Sequence, residues 1–501
     1  MSNIKKLAGQ TMWYGLSSIG AKFINYLVTP FITYSHHVST ANFGDMSIVY
    51  AAIPLLSILF TYGFETTYFR FSSRKEYQAT LYSTASLSII FSTICFTLIL
   101  WIFKSDITNA VGFSDSPSII EYTIFIIAID AITRIPFAKL RQEGRPRRFA
   151  FINIFSILVY VFFIWFFINY CSDTLAKNPS SWLGYIYSPQ TNPVVYLVIA
   201  NLLQSSVTLI LLSTEIAQIQ FAFDKKLWRE MMIYALPLLI VGFGGTINET
   251  LDRWMLKLWL PGTVDDVKGQ IGIYNGCYKL SLLITIFIMA FKMGAEPFFF
   301  KEAEGKNPQH TYARVMKFFV IIISFIFLVV TLYMEIWKYF LGPSYRVGIK
   351  VVPILLLANM FIGIYYNLSV WYKLSNRTIA GTYITLFGVL ITCSINYLFI
   401  PKYGYMASAW ATFFCYGSMM VTSFVWGQKA YRIPYAWRKL LAYMAIVVAI
   451  FFTHQGLTAL WHNVIFNLAI ATMLMFVFTW FILLVERKEF QKLPALGKFV
   501  K

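Results

Sequence analysis

The chain has 501 residues, 58% of them hydrophobic and only 13% charged, with 41 Lys and Arg against 22 Asp and Glu and a net charge of +19. A soluble globule carries about 25% charged residues, so a soluble protein of this size is excluded, and with it a large soluble catalytic domain, a disordered chain and a nucleic-acid partner. The apolar residues fall in blocks of about 20, the length a helix needs to cross the roughly 30 Å hydrocarbon core, which points to an all-α polytopic membrane protein.

In chain order, apolar runs separated by charged or Pro/Gly-rich breaks predict fourteen transmembrane helices. They lie near residues 10–34, 44–68, 81–103, 118–139, 149–170, 193–213, 230–257, 270–299, 316–337, 350–373, 379–400, 405–426, 439–459 and 463–485. The start, MSNIKKLAGQTMWYGLSSIGAKF, bears lysines but lacks a clean apolar core and an A-x-A site, so it reads as an uncleaved first span rather than a signal peptide. With the N-terminus inside, the inner segments carry 28 Lys and Arg and the outer loops 8, and the richest inner loop is KLRQEGRPRR, residues 139–148. That excess on short inner loops points to both termini in the cytoplasm. The longest outer loop carries Trp182, Tyr185 and Tyr187, which read first as an interfacial aromatic belt and otherwise as a substrate-stacking site.

The chain resembles itself. MWYGLSSIG (12–20) recurs as MIYALPLLI (232–240), NFGDMSIVYAAIPLLSILFTYGF (42–64) as QIGIYNGCYKLSLLITIFIMAFK (270–292), and KLRQEGRPRRFAFINIFSIL (139–158) as KLSNRTIAGTYITLFGVL (373–390). The offsets, 220, 228 and 234, are nearly constant and keep the same order. They predict two six-helix lobes related by a pseudo-two-fold repeat, residues 1–220 and 221–430, followed by two additional spans and a cytoplasmic tail over 431–501. Parallel repeats about an axis along the membrane normal are a common transporter plan, with the site between them.

Five basic residues fall inside the expected spans: Lys22, Arg134, Arg253, Lys279 and Lys292. A charge at the centre of a span costs at least about 2.5–3.5 kcal/mol, so each needs a reason. Arg134 follows Asp130 by four residues, Arg253 follows Glu249 by four and adjoins Asp252, and Lys292 precedes Glu296 by four. Such spacing allows partial neutralisation on one helix face, so structural pairing and ligand contact stand as alternatives for these three. Lys22 and Lys279 have no acid so spaced in their own helices, which favours a functional reading. Glu65, Asp130, Glu249 and Asp252 are candidate carboxylates for ion or proton coupling. Pro30 in the first span, and Pro237 with Gly242, Gly244 and Gly245 in the seventh, are candidate hinges, set against the ordinary tolerance of membrane helices for Gly and Pro.

Other chemistry is missing from the sequence. It contains no G-x-x-x-x-G-K-[ST] loop, no H-E-x-x-H and no D-x-D or E-x-D. The five histidines and five cysteines show no ligand spacing, so no metal, cofactor or disulfide framework is expected.

Four stretches resemble a known family: ANFGDMSIVYAAIPLLSILFTYGFETTYFRF (41–71), RIPFAKLRQEGRPRRFA (134–150), ALPLLIVGFGGTINETLDRWML (235–256) and IPKYGYMASAWAT (400–412). They are similar to the polysaccharide-biosynthesis, O-antigen-type flippases of the MOP exporter superfamily, in the fourteen-helix branch. There an aromatic-Gly pair opens the second helix and a Gly followed by an Arg closes it, here Phe43-Gly44, Gly63 and Arg70. The turn at 400–412 departs from the family's pattern, with Ala407-Ser408-Ala409 where Gly-Ala-Ala is usual. The resemblance implies a non-enzymatic flippase that moves isoprenoid-pyrophosphate-linked oligosaccharide between leaflets by alternating access, for O-antigen, lipopolysaccharide or capsule. Membrane lipid, a polysaccharide polymerase and glycosyltransferases would be its partners. It also implies cavity cations at Lys22, Arg70 and, with Lys279, Arg253. Lys in helix one replaces the Arg often seen there, and Lys279 and Lys292 map to no shared motif. The rival readings are a multidrug cation exporter of the same superfamily, which would favour a carboxylate in helix one, and a membrane polymerase or glycosyltransferase.

Overall fold

The computed structural model describes residues 19–72, 74–303, 307–375, 377–461 and 463–491, and every regular element among them is helical. The long helices are α1 (19–33), α2 (Thr40–Thr61) with its short continuation α3 (Phe64–Phe71), α4 (Leu81–Ile102), α5 (Ser118–Gln142), α6 (Pro146–Trp165), α7 (Pro193–Leu211) and α8 (Lys225–Trp259). They continue with α9 (Val264–Glu302), α10 (Pro308–Leu332), α11 (Val352–Leu368), α12 (Thr378–Tyr403), α13 (Tyr405–Ala430), α14 (Trp437–Leu460) and α15 (Val464–Val485). Eleven helices among the described residues are long and apolar enough to cross a membrane. The expected spans at 118–139 and 405–426 are helical as α5 and α13 but fall outside those eleven. Of the expected first span, residues 10–18 lie outside the described residues, as does the end of the tail beyond 491.

Local chemistry sets the helix ends. Ser39 and Asn42 form a reciprocal capping box on α2, Asp224 accepts the amide of Leu227 at 3.0 Å to cap α8, and Asn463 accepts that of Ile465 at 2.9 Å to cap α15. Pro146, Pro193 and Pro308 each stand in the first turn of a helix, where a missing N–H costs nothing. The break between α2 and α3 is made by Tyr62 and Gly63, both at positive φ; Gly63 lies at +76°, and its lack of a Cβ admits that geometry without strain.

The chain divides into two compact units, residues 1–276 with 385–411, and residues 277–384 with 412–501. In the first, α4 packs on α5, α5 and α6 on α7, and α8 along α2. Its core includes Phe60, Phe64, Tyr68, Ile127, Ile135, Met231 and Ala235. In the second, α10 is central, flanked by α11, α14 and α15. Large apolar side chains remain on the outer faces of these helices: Phe91 is 71% and Ile102 73% exposed on α4. In water that would be an aggregation face; against lipid it is the expected surface.

Candidate functional site: charges on the membrane helices

In the first unit, α2 and the start of α9 meet backbone to backbone. A Cβ on Gly44 would lie 1.9 Å from the Lys268 carbonyl oxygen, and one on Gly272 would lie 2.0 Å from that of Thr40. The crossing is symmetric in sequence, because the 228-residue offset maps Gly44 onto Gly272 and Thr40 onto Lys268. Small residues permit such close helix approach. Beside it Ser47 accepts a hydrogen bond from the Asn275 amide at 2.7 Å, and these too are offset partners. Lys268 pairs with buried Asp45 at 3.1 Å.

Arg253 continues this polar seam. It is buried, and its guanidinium holds the Asp252 carboxylate at 2.7 Å, donates to the Glu249 carbonyl and reaches Asn275 at 3.5 Å. The Tyr274 hydroxyl donates to the other Asp252 oxygen at 2.7 Å. Two charges so paired can remain inside low-dielectric protein. Asp252 and Arg253 are thus joined in one network, while the Glu249 side chain is exposed.

A second group lies around α3 and α5. Glu65 receives Arg141 at 3.1 Å and has Arg134 at 4.0 Å, while Asp130 accepts the Ser205 hydroxyl at 2.7 Å. Arg70 lies over the ring of Tyr234, 4.7 Å from its centroid. The basic loop at 139–148 is anchored by Glu215, fully buried, which takes Arg145 and Arg148 at 2.9 Å on its two oxygens.

Lys22 stands exposed on α1, which runs on through Pro30. Pro237 lies inside the unbroken 35-residue α8. On the same helix a Cβ on Gly244 would touch Thr385 at 3.3 Å, one on Gly242 would make ordinary contact with Ile58 at 3.8 Å, and one on Gly245 would meet nothing within 4 Å.

The second unit holds Lys279 and Lys292 on α9, both half-buried. The Lys292 ammonium sits 4.6 Å from the centroid of Tyr366. Lys292 and Tyr366 line a small recess of about 20 Å³ together with Phe291, Phe299, Asn367 and Lys373. The side chain of Glu296, spaced to pair with Lys292, lies outside the described residues. Lys373 and Asn367 escaped the sequence reading because Lys373 counts as an inner-loop charge and Asn367 as an ordinary polar residue. The signal was there: 366 and 373 are seven apart, two helical turns and one face.

A helical membrane protein with charges distributed in this way has the fold of the MOP-superfamily transporters. Lipid II flippase MurJ in its inward closed conformation is 13% identical, with 95% of this chain and 99% of that one covered and a TM-score of 0.71. An inward-facing multidrug resistance MATE family transporter of the MOP superfamily is 10% identical, with coverage of 85% and 96% and a TM-score of 0.65. A MATE transporter of Vibrio cholerae is 13% identical, covering 85% and 97%, at a TM-score of 0.57. At such identities the likeness is one of fold. The chain itself belongs to the family described as polysaccharide biosynthesis protein, which matches residues 7–303. No curated protein matches it.

Proposed function

We propose that this protein is a flippase that carries an isoprenoid-pyrophosphate-linked oligosaccharide from the inner to the outer leaflet of a bacterial inner membrane, for O-antigen or capsule assembly. The observation that carries this reading is the sign of the charge on the first span. Lys22 is exposed on α1, and residues 1–44 contain no Asp or Glu, in a chain of the polysaccharide biosynthesis family. Charge-assisted contacts to phosphate oxygens are short and strong, and in a low-dielectric cavity a pyrophosphate needs cationic partners. Transport is by alternating access of the two lobes, 1–220 and 221–430, with both termini cytoplasmic and Pro30 and the Pro237 region as hinges. It makes and breaks no covalent bond of the glycan. A polymerase and glycosyltransferases would act on the same glycan before and after the protein.

The test is export of the glycan by Lys22 variants. Lys22→Ala should abolish export while the protein remains inserted and abundant, and Lys22→Arg should retain part of it despite its different geometry. Lys22→Glu should be as inactive as Ala. A Lys22→Glu protein that exports glycan at the wild-type rate would overturn the reading. Tolerance of that change, together with efflux of organic cations, would favour a cation exporter of the same fold.

A further inference from the structure

A groove in the first unit, walled by α2, α4 and α8, encloses about 760 Å³, within the range of small-molecule sites. Phe91 and Phe96 on α4 face Trp228, Met232, Leu236 and Leu239, which share one face of α8. Phe91 and Leu236 are exposed, so the groove opens sideways towards the bilayer. The few polar groups in its walls are spent inside the protein. The Trp228 indole donates to the Ser88 hydroxyl at 2.8 Å, the Tyr62 hydroxyl lies 2.7 Å from the same oxygen, and the Ser92 hydroxyl donates to the Ile89 carbonyl at 3.0 Å. A sugar would find no partner here and would lose its own hydration. A hydrocarbon chain loses nothing.

Length and charge narrow the choice of chain. From Lys225 to Leu239 α8 rises about 21 Å, half of a bilayer about 40–45 Å thick with its headgroups. The groove therefore has the depth of a single leaflet. Lys225 lines its mouth, and Lys226 and Arg229 stand beside it in the first turns of α8. All three are exposed, and none has an ion-pair partner among the described residues. The neighbouring acids are engaged: Asp224 accepts the Leu227 amide, and Glu230 takes Arg74 and the Tyr77 hydroxyl, each at 3.0 Å. Phe223 lines the same mouth, and Phe221 near it is wholly exposed. Basic side chains set among apolar ones are the composition of a segment at a membrane surface, and the Lys and Arg bias puts this end of α8 on the cytoplasmic side. Cations at a helix N-terminus oppose the helix dipole, so they do nothing for α8 itself. An anion placed there would meet three cations and the positive end of the helix.

We propose that this groove seats an acyl chain of an anionic glycerophospholipid of the inner leaflet, with Lys225 receiving its phosphate. The chain lies along the aromatic and aliphatic walls, and Lys226 and Arg229 add to the attraction for the headgroup. The site does not depend on the flippase reading.

The test is native mass spectrometry of the full chain released from detergent micelles, with phosphatidylglycerol and phosphatidylethanolamine of the same acyl chains as probes. Phosphatidylglycerol should be retained about fivefold or more over phosphatidylethanolamine, since each surface cation contributes about that factor for an anionic lipid. Lys225→Gln should cut phosphatidylglycerol retention about fivefold and leave phosphatidylethanolamine unchanged. Leu236→Trp, which fills the groove at an exposed position, should reduce both, and Lys177→Gln, on an outer loop, should change neither. Equal retention of the two lipids, wild-type selectivity in Lys225→Gln, an equal effect of Lys177→Gln, or wild-type retention in Leu236→Trp would overturn the proposal. So would displacement of phosphatidylglycerol by equimolar polyprenol, which would give the groove to an isoprenoid chain, or a dimer that Leu236→Trp dissociates, which would give it to a second copy. The comparison of lipids on the wild-type chain stands even where a variant fails to fold.

Discussion

Glu215 shows how one residue turns a topogenic charge cluster into structure. The loop at 139–148 is rich in Lys and Arg, which orientation alone would explain. Yet Arg145 and Arg148 each close on one oxygen of a carboxylate with no exposed surface. The two guanidiniums keep contact with solvent, so removing Glu215 costs their charge-assisted hydrogen bonds, about 1.5–3 kcal/mol each at most, rather than leaving buried charge behind. Glu215→Ala should therefore lower the yield and thermal stability of detergent-solubilised protein, measured by unfolding followed by size exclusion. The sequence displays only neighbours along a helix, which is why Asp130 stood out as a partner for Arg134. The contacts to Glu65 come from another helix, and no spacing announces them. The same limit hid the convergence of Lys292 with Asn367 and Lys373, which stand more than seventy positions further along the chain and line the same recess.

Elements were more legible than contacts, because a run of about 20 apolar residues has few other uses. The two described spans outside the eleven, α5 and α13, carry the more polar sequences, with Asp130 and Arg134 in one and a run of small and hydroxyl residues in the other. The family glycines acquire physical reasons at this scale. Gly63 and Gly404 sit at φ +76° and +59°, where they end one helix and turn into the next. Gly44 and Gly272 are small because two backbones touch. Gly44→Ala or Gly272→Ala should force the helices apart and cost about 1–3 kcal/mol or more, read as loss of monodisperse protein. Gly245→Ala, with open space around its Cβ, should leave stability within about 0.5 kcal/mol. A loss of export in that variant alone would mark a hinge.

The junction of α10, α14 and α15 makes a pH prediction at the same scale. Glu486, 2% exposed, meets Lys317 at 2.9 Å, Lys439 at 2.6 Å and the Tyr443 hydroxyl. Burial pushes its carboxyl up, but hydrogen bonds from Lys439, Tyr443 and Lys317 outweigh that and hold it below the ordinary range. A depressed carboxyl contributes stability that is complete above the unfolded pKa, about 4.3, and lost as pH falls through the lower folded value. The stability gap between wild type and Glu486→Gln should be constant from about pH 5 to 8 and shrink below about pH 4, measured as melting temperature against pH.

At the scale of the molecule, the all-helical membrane fold and the family could be read from composition and four degenerate motifs, because both are written in long stretches of sequence. Orientation rests on the Lys and Arg bias and has a direct check. Reporter fusions after Ser114 and Pro189 should report outside and a fusion after Gly144 inside; a cytoplasmic signal at Ser114 would break the assignment of the first four spans. The crossing of α2 with α9 has a consequence for which of its residues can vary. Positions 228 residues apart meet each other there, glycine against glycine and serine against asparagine. A contact in which each position faces its own equivalent is what a two-fold symmetric dimer makes between identical subunits. Ser47 and Asn275 differ in kind and still meet by a hydrogen bond, while the two glycines, each the other's socket, have no room to change alone.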